Sequence, residues 1–262
     1  MCRLLGYLGS PIPLDYLLYK PEHSLIVQSY LPREMTSGVV NADGFGIGWY
    51  HAQRETDPFT YKNTLPIWSD INLPNLSRYI ESGCVIANVR SATAGQTLDF
   101  SNSHPFHYGR LLFTHNGFIK NFRQTLYRPI RDRLSDEAYQ GIDGSTDSEH
   151  IFALLINELA TAPDISLEKA LHNTLMILRE LADSYQVSVS ANIILSDGNR
   201  LVASRFAHGV QVPSLYWLRD DPAFPDAVII ASEPLFASNW ISCPENSIIS
   251  VGEDLDIQIH QP

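Results

Sequence analysis

Cysteine is scarce in this chain: three residues, Cys2, Cys84 and Cys243, among 262. Three scattered thiols build no disulfide framework, so a reduced, cytoplasmic setting is expected. Basic residues are also few, 18 Lys and Arg against 29 Asp and Glu, for a net charge of −11. Phosphate backbones and anionic lipid surfaces demand clustered cations, so nucleic acid and membrane partners are not expected. The densest basic stretch, Arg123 to Arg133, is broken by Pro129 and Asp132 and reads as a solvated face. No apolar run reaches the roughly 18 residues of a membrane span. Leu4 to Leu8 is too short for a signal-peptide core, and Pro11 and Pro13 follow at once. Gly/Ser linkers, repeats and low-complexity tracts are absent. With 44% hydrophobic and only 18% charged residues, the chain has the means to bury a large core, and one domain over 1–262 is expected.

The periodicities alternate between strand and helix in blocks. Short apolar or β-branched runs at Cys2–Gly9, Ile47–Tyr50, Thr60–Tyr61, Val85–Val89 and Leu111–Thr114 predict strands. The first should end at Ser10-Pro11. Asp147–Ala160 and Ser166–Tyr185 carry apolar stripes at helical spacing. Thr146 and Ser166 are their expected N-caps, with Glu149 completing a capping box on the first. Ser188–Leu195 and Leu201–Arg205 flank Asp197-Gly198-Asn199 and predict a hairpin. Tyr216–Leu218, Ala227–Ser232 and Ser247–Val251 are further strands. Strands, two helices, then strands again is not the alternation of a doubly wound sheet. The expected class is α+β, antiparallel sheets with helices outside them.

The chemistry begins at the second residue. Trimming of Met1 would leave Cys2 with thiol and α-amine on one carbon skeleton, a nucleophile joined to a base that titrates near neutrality. Asn41-Ala42-Asp43-Gly44 leads into Phe45-Gly46-Ile47-Gly48, whose glycine spacing fits neither a dinucleotide fingerprint nor a phosphate loop. Arg90 ends an apolar strand in charge-poor sequence, where a guanidinium fork wants a carboxylate, either a substrate's or a structural acid's. His104-Pro105-Phe106-His107 has metal-like spacing, but Pro105 breaks any helix and no third ligand is near, so no metal is expected. Asn116-Gly117 is either a turn or a pair of N–H donors aimed at one point. Asp147 opens a helix, as cap or as partner of an ammonium.

The order of these motifs, Cys2, then Arg90-Ser91-Ala92-Thr93, then His115-Asn116-Gly117-Phe118-Ile119-Lys120-Asn121, then Thr146-Asp147-Ser148-Glu149, resembles the class II glutamine amidotransferases, an N-terminal-nucleophile hydrolase family. Asp197-Gly198 to Arg205 and Ala231-Ser232-Glu233-Pro234-Leu235 look like segments of its standalone members, which include ergothioneine-pathway γ-glutamyl hydrolases and glutathione-pathway enzymes. The resemblance implies a four-layer αββα fold of two stacked antiparallel sheets. It implies Cys2 as nucleophile and Asn116 with the Gly117 N–H as oxyanion hole. Arg90, with Thr93 beside it, would hold a glutamyl carboxylate and Asp147 the ammonium. Asn41, Asp43 and Gly44 would wall the site, with His115 beside them. The implied substrate is a small γ-glutamyl amide, with no cofactor. A homo-oligomer, or a synthase partner receiving ammonia, stays open, as does a non-catalytic binding module on the same fold. Cys84 and Cys243 are expected to be inert.

Overall fold

A computed structural model describes residues 1–35, 38–51, 57–92, 98–162 and 164–261. Two antiparallel sheets lie face to face. The first runs β12 (Ile241–Ser242), β10 (Tyr216–Asp221), β11 (Phe224–Ala231), β1 (Arg3–Pro13), β4 (Glu81–Val89), β2 (Phe45–Trp49), β3 (Phe59–Asn63). The second runs β14 (Ile257–His260), β13 (Ser247–Val251), β8 (Leu201–Arg205), β7 (Val189–Ser196), β6 (Leu111–Ile119), β5 (Phe106–Tyr108), with β9 (Ala207–His208) also paired to β7.

Alternation along each strand sorts its side chains into three apolar layers. On β1, Leu4 and Leu8 point between the sheets, joining Ile86, Leu112, Ile194, Ala203 and Ile230. Leu5 and Tyr7 point outward to Leu17, Leu25 and Leu73, carried by the short helices α1 (Asp15–Leu18), α2 (Leu25–Tyr30) and α3 (Leu73–Tyr79). Phe113, Ile193 and Leu195 of the second sheet meet Ile151, Leu155, Leu171 and Leu178, on α6 (Asp147–Thr161) and α7 (Leu167–Tyr185). Two shorter helices, α4 (Tyr127–Arg131) and α5 (Asp136–Gln140), precede them. The result is the expected four-layer αββα arrangement.

Both helix starts are capped as anticipated, Thr146 accepting from the Glu149 N–H and Ser166 from that of Lys169. Glu149 does not close a capping box. Its carboxylate instead accepts from the N–H groups of Asp143 and Gly144, gathering the chain ahead of α6.

Two expectations need correction. β1 does not stop at Ser10-Pro11 but continues to Pro13 through a register shift between Leu8 and Ile12. Its pairing with β11 ends at Gly9, so the prolines fall where that flank asks for no donor. The second concerns Asn116-Gly117. It is no turn: β6 continues through it, with Asn116 opposite Asn192 and Gly117 opposite Ala191. Glycine serves close approach here, since a Cβ at 117 would lie 1.9 Å from the Ser190 carbonyl oxygen.

Candidate active site

β1 lies between β11 and β4, which places the residue before it at the end of a central strand. Arg3 sits opposite Val89, so Cys2 meets the chain just past β4, its Sγ 3.8 Å from the Ser91 carbonyl oxygen. Arg3 fastens this end. Its Nε donates to the Cys2 carbonyl (2.8 Å) and its Nη1 to Glu233 (2.8 Å), both side chains being fully buried. His23 Nε2 lies 2.7 Å from the other Glu233 oxygen, and the Arg33 and Glu34 N–H groups donate to the same carboxylate. Burial alone would raise the Glu233 pKa. The hydrogen bonds from His23, Arg33 and Glu34, with the charge of Arg3, pull it down to about 2. The adjoining Ser232 accepts from Leu4 N–H through its hydroxyl (2.9 Å) and donates its own N–H to the Leu4 carbonyl (3.0 Å). This network is what sequence reasoning missed. Two signals pointed to it: an arginine directly after Cys2 in an apolar strand, and the Ala231-Ser232-Glu233-Pro234-Leu235 segment, whose role the resemblance left unstated.

The loop before β2 braces the other side of Cys2. Gly44, at φ +110°, takes a conformation that favours glycine. It lets the loop return to β4: the Asp43 N–H donates to the Arg90 carbonyl (3.0 Å) and the Arg90 N–H to that of Gly44 (2.8 Å). The Asp43 carboxylate accepts from the Ala92 N–H at 2.8 Å. Asn41 is fully buried and tied to α2, its N–H donating to the Ser29 carbonyl. Burial lowers the pKa of the Met1 α-ammonium, so this end of β1 disfavours a charged amine.

β6 supplies the opposing donors. In an antiparallel strand successive N–H groups point to opposite edges. Lys120 N–H donates toward β7, to the Ser188 carbonyl, and Ile119 N–H the other way, to Asp147 Oδ2 at 2.8 Å. Gly117 shares the parity of Ile119, so its N–H points off the same edge, which β5 leaves uncovered beyond Phe113. Asn116 projects between the sheets, fully buried, and neither atom of its amide has a partner among the described residues. An unsatisfied buried amide is costly unless something arrives to use it. His115 stands behind this pair. Its Nε2–H donates to the Ser190 carbonyl (3.1 Å) and its Nδ1 accepts from Ser148 (2.8 Å). Burial lowers its pKa against the opposing charge of Asp147, which keeps the ring neutral. It orients β6 and carries no charge into the site.

Asp147 is not the cap of α6, since Thr146 has that place. Its Oδ2 accepts from Ile119 and its Oδ1 from the Ser148 N–H (3.0 Å), leaving further lone pairs to face a ligand.

A cavity of about 850 Å³ opens where β1 and β7 begin and β4 and β6 end, lined by Cys2, Ser91, Gly117, Asp147 and Ser190 among others. Three of the expected residues, Cys2, Gly117 and Asp147, thus share one space. Asn116, His115, Arg90, Asn41, Asp43 and Gly44 are not part of its lining; Asn116 and Arg90 directly precede the lining residues Gly117 and Ser91. Thr93 lies outside the described residues. The remaining thiols are of another kind: both Cys84 and Cys243 are buried, which pushes their pKa values up to about 12. His104 is buried with an edge-on contact to Phe106, and His107 lies on β5.

Comparison with known proteins agrees with this arrangement. A family model described as glutamine amidotransferases class-II matches residues 1–231. A probable glutamine amidotransferase of Saccharomyces cerevisiae is 32% identical, over 96% of this chain and 82% of its own. A gamma-glutamyl-hercynylcysteine sulfoxide hydrolase of Mycolicibacterium smegmatis is 30% identical over 96% of both chains. Among solved structures, a glutamine aminotransferase class-II domain protein from Silicibacter pomeroyi superposes with a TM-score of 0.72 at 25% identity, over the whole of both chains.

Proposed function

Because the chain belongs to the class-II glutamine amidotransferases, a family of enzymes acting on C–N bonds, we propose that it hydrolyses γ-glutamyl amides through a thioester on Cys2. The observation that carries this reading is the shared cavity of Cys2, Gly117 and Asp147, with the unsatisfied amide of Asn116 next to Gly117.

The chemistry follows from these groups. With Met1 trimmed, the Cys2 amine takes the thiol proton, directly or through one water. The sulfur attacks the amide carbon. The Gly117 N–H and Asn116 Nδ2 hold the oxyanion that forms, in a site where their dipoles are already fixed. The ammonium of Cys2 returns its proton to the leaving nitrogen as the C–N bond breaks. Water, deprotonated by the same amine, then attacks the thioester, and glutamate departs as sulfur is released. Asp147 receives the glutamyl ammonium and Arg90 its α-carboxylate, which restricts the acyl half to a glutamyl zwitterion.

For the leaving half, the first choice is γ-glutamyl-hercynylcysteine sulfoxide, supported by the Mycolicibacterium relative, whose printed name is that activity. A second reading, glutaminase action supplying ammonia to a separate synthase, draws on the Saccharomyces relative. A panel of γ-glutamyl amides that includes this sulfoxide and glutamine decides between them by which releases glutamate fastest. Intact mass tests the trimming. The active protein should begin at Cys2, and full turnover by a chain retaining Met1 would end the self-base mechanism.

A further inference from the structure

Alternation turns one face of β4, β6 and β7 toward the space between the sheets. Two contacts set how these strands align across it. Cys84 Sγ lies 3.1 Å from Ser196 Oγ. A Cβ on Gly6, which pairs with Ile86, would lie 2.9 Å from the Ile194 side chain. One pleat nearer the cavity, the same faces carry Asn88 on β4 and the opposed pair Asn116 and Asn192 on β6 and β7. Three asparagines thus share the level at which the apolar interlayer of Ile86, Leu112 and Ile194 gives way to the cavity.

Their surroundings differ. Asn192 is satisfied: its Nδ2 donates to the carbonyls of Pro213 and Ser214 (3.1 Å each), and its Oδ1 accepts from the Phe206 N–H (3.3 Å). Asn88 and Asn116 are both buried. Among the described residues no atom of either amide has a partner, and the two do not bond to each other. Each such amide costs stability that an apolar side chain in its place would not.

The oxyanion hole gives the second amide a use. A side-chain amide can present either end. With Nδ2 toward the reacting carbonyl, Asn116 stabilises the oxyanion; turned over, its Oδ1 faces the oxyanion and repels it. A donor to Oδ1 holds the first orientation. Asn88 brings two N–H bonds to this level. Where two buried amides do not meet directly, one water with polar partners on both sides can join them.

We infer that Asn88 is a positioning residue for the oxyanion hole. Through one shared water its Nδ2 holds Asn116 Oδ1, and so keeps Asn116 Nδ2 aimed at the carbonyl oxygen. The inference rests on the γ-glutamyl reading above and adds a member to the same site. Asn88 is not part of the cavity lining and acts only through Asn116.

The test pairs two substitutions of one shape, Asn88→Val and Asn88→Thr, of which only the second keeps a donor. Steady-state kinetics use whichever of γ-glutamyl-hercynylcysteine sulfoxide and glutamine is cleaved faster. Asn88→Val should lower kcat by about tenfold with KM little changed, the scale of one lost hydrogen bond acting on the transition state. Asn88→Thr should recover most of that loss. The thermal midpoint of Asn88→Val should stay level or rise, because an apolar group replaces a buried amide that has no protein partner. A purely structural asparagine would lower the midpoint and leave kcat alone. In an Asn116→Ala background, Asn88→Val should change kcat by less than about twofold, since the amide it acts through is gone. Should Asn88→Val fail to fold, Asn88→Ala takes its place with the same expected split. The inference is overturned, and the γ-glutamyl reading spared, by an unchanged kcat in Asn88→Val, by a loss that Asn88→Thr shares in full, or by an equal loss in the Asn116→Ala background. An Asn116→Ala variant with unchanged kcat overturns the oxyanion hole and this inference with it. Cleavage of neither substrate overturns the γ-glutamyl reading as well.

Discussion

The proposed chemistry can be tested at a single side chain, Asn116. Its amide is buried without a partner among the described residues, beside the glycine whose N–H faces the uncovered edge of β6. Oxyanion donors act mainly on the transition state. Asn116→Ala should therefore lower kcat by about a hundredfold or more with KM little changed, measured by steady-state glutamate release. An unchanged kcat would reduce the amide to a packing group. Arg90 separates in the opposite way. Arg90→Lys keeps the charge and loses the fork, so KM should rise while kcat falls less. A lowered melting point with unchanged kinetics would instead make Arg90 a structural ion-pair member. The proposal of these roles came from motif order alone. The bare residues left Asn116-Gly117 open between turn and donor pair, because the spacing of a glycine says nothing about what lies across the strand from it.

At the scale of elements, the two long helices and the hairpin of β7 and β8 were readable to within a residue or two. Their capping residues and turn are local chemistry. The early helices α1 to α3 and the late strands β12 and β14 were not. Each is short and owes its place to the sheet it lies on or pairs with, a non-local cause that leaves little periodicity behind. β6 belongs with them. Its C-terminal half is held by β7 on one edge and by Asp147 at its end. Gly117→Ala tests that contact, because the new methyl would sit 1.9 Å from the Ser190 carbonyl and 2.5 Å from His115 Nε2. It should cost about 3 kcal/mol or more, read as a lower urea midpoint together with lost activity. A wild-type midpoint would mean that β6 and β7 do not pack this closely.

The whole molecule is tuned to neutral pH by groups far apart in sequence. Burial lowers the pKa values of His104 and His115, and that of His150 to about 4. The native state thus keeps these rings neutral, while the unfolded chain binds protons as pH drops through about 6.5. Stability should accordingly decline from there downward. Glu233 acts lower. Its folded pKa, about 2, lies below the ordinary 4.5. What it contributes is present in full above 4.5 and is lost as pH falls toward 2, about 3 kcal/mol in all. Urea midpoints across pH should fall in two stages. Glu233→Gln should flatten the lower stage and destabilise the neutral protein by about 3–5 kcal/mol, since it strands Arg3 in the core. A profile unaltered by that change would remove Glu233 from the anchoring network.

The same anchoring imposes an order in time. The proposed nucleophile, Cys2, directly precedes β1, yet the groups that hold that strand, Ser232 and Glu233, come more than 220 residues later. β4 can pair with β1 early, but this anchor is complete only once β11 and the residues after it are made. Only when β11 pairs with β1 does the end become a strand terminus in a cavity. The proposed site is thus closed by residues far from Cys2 in the sequence.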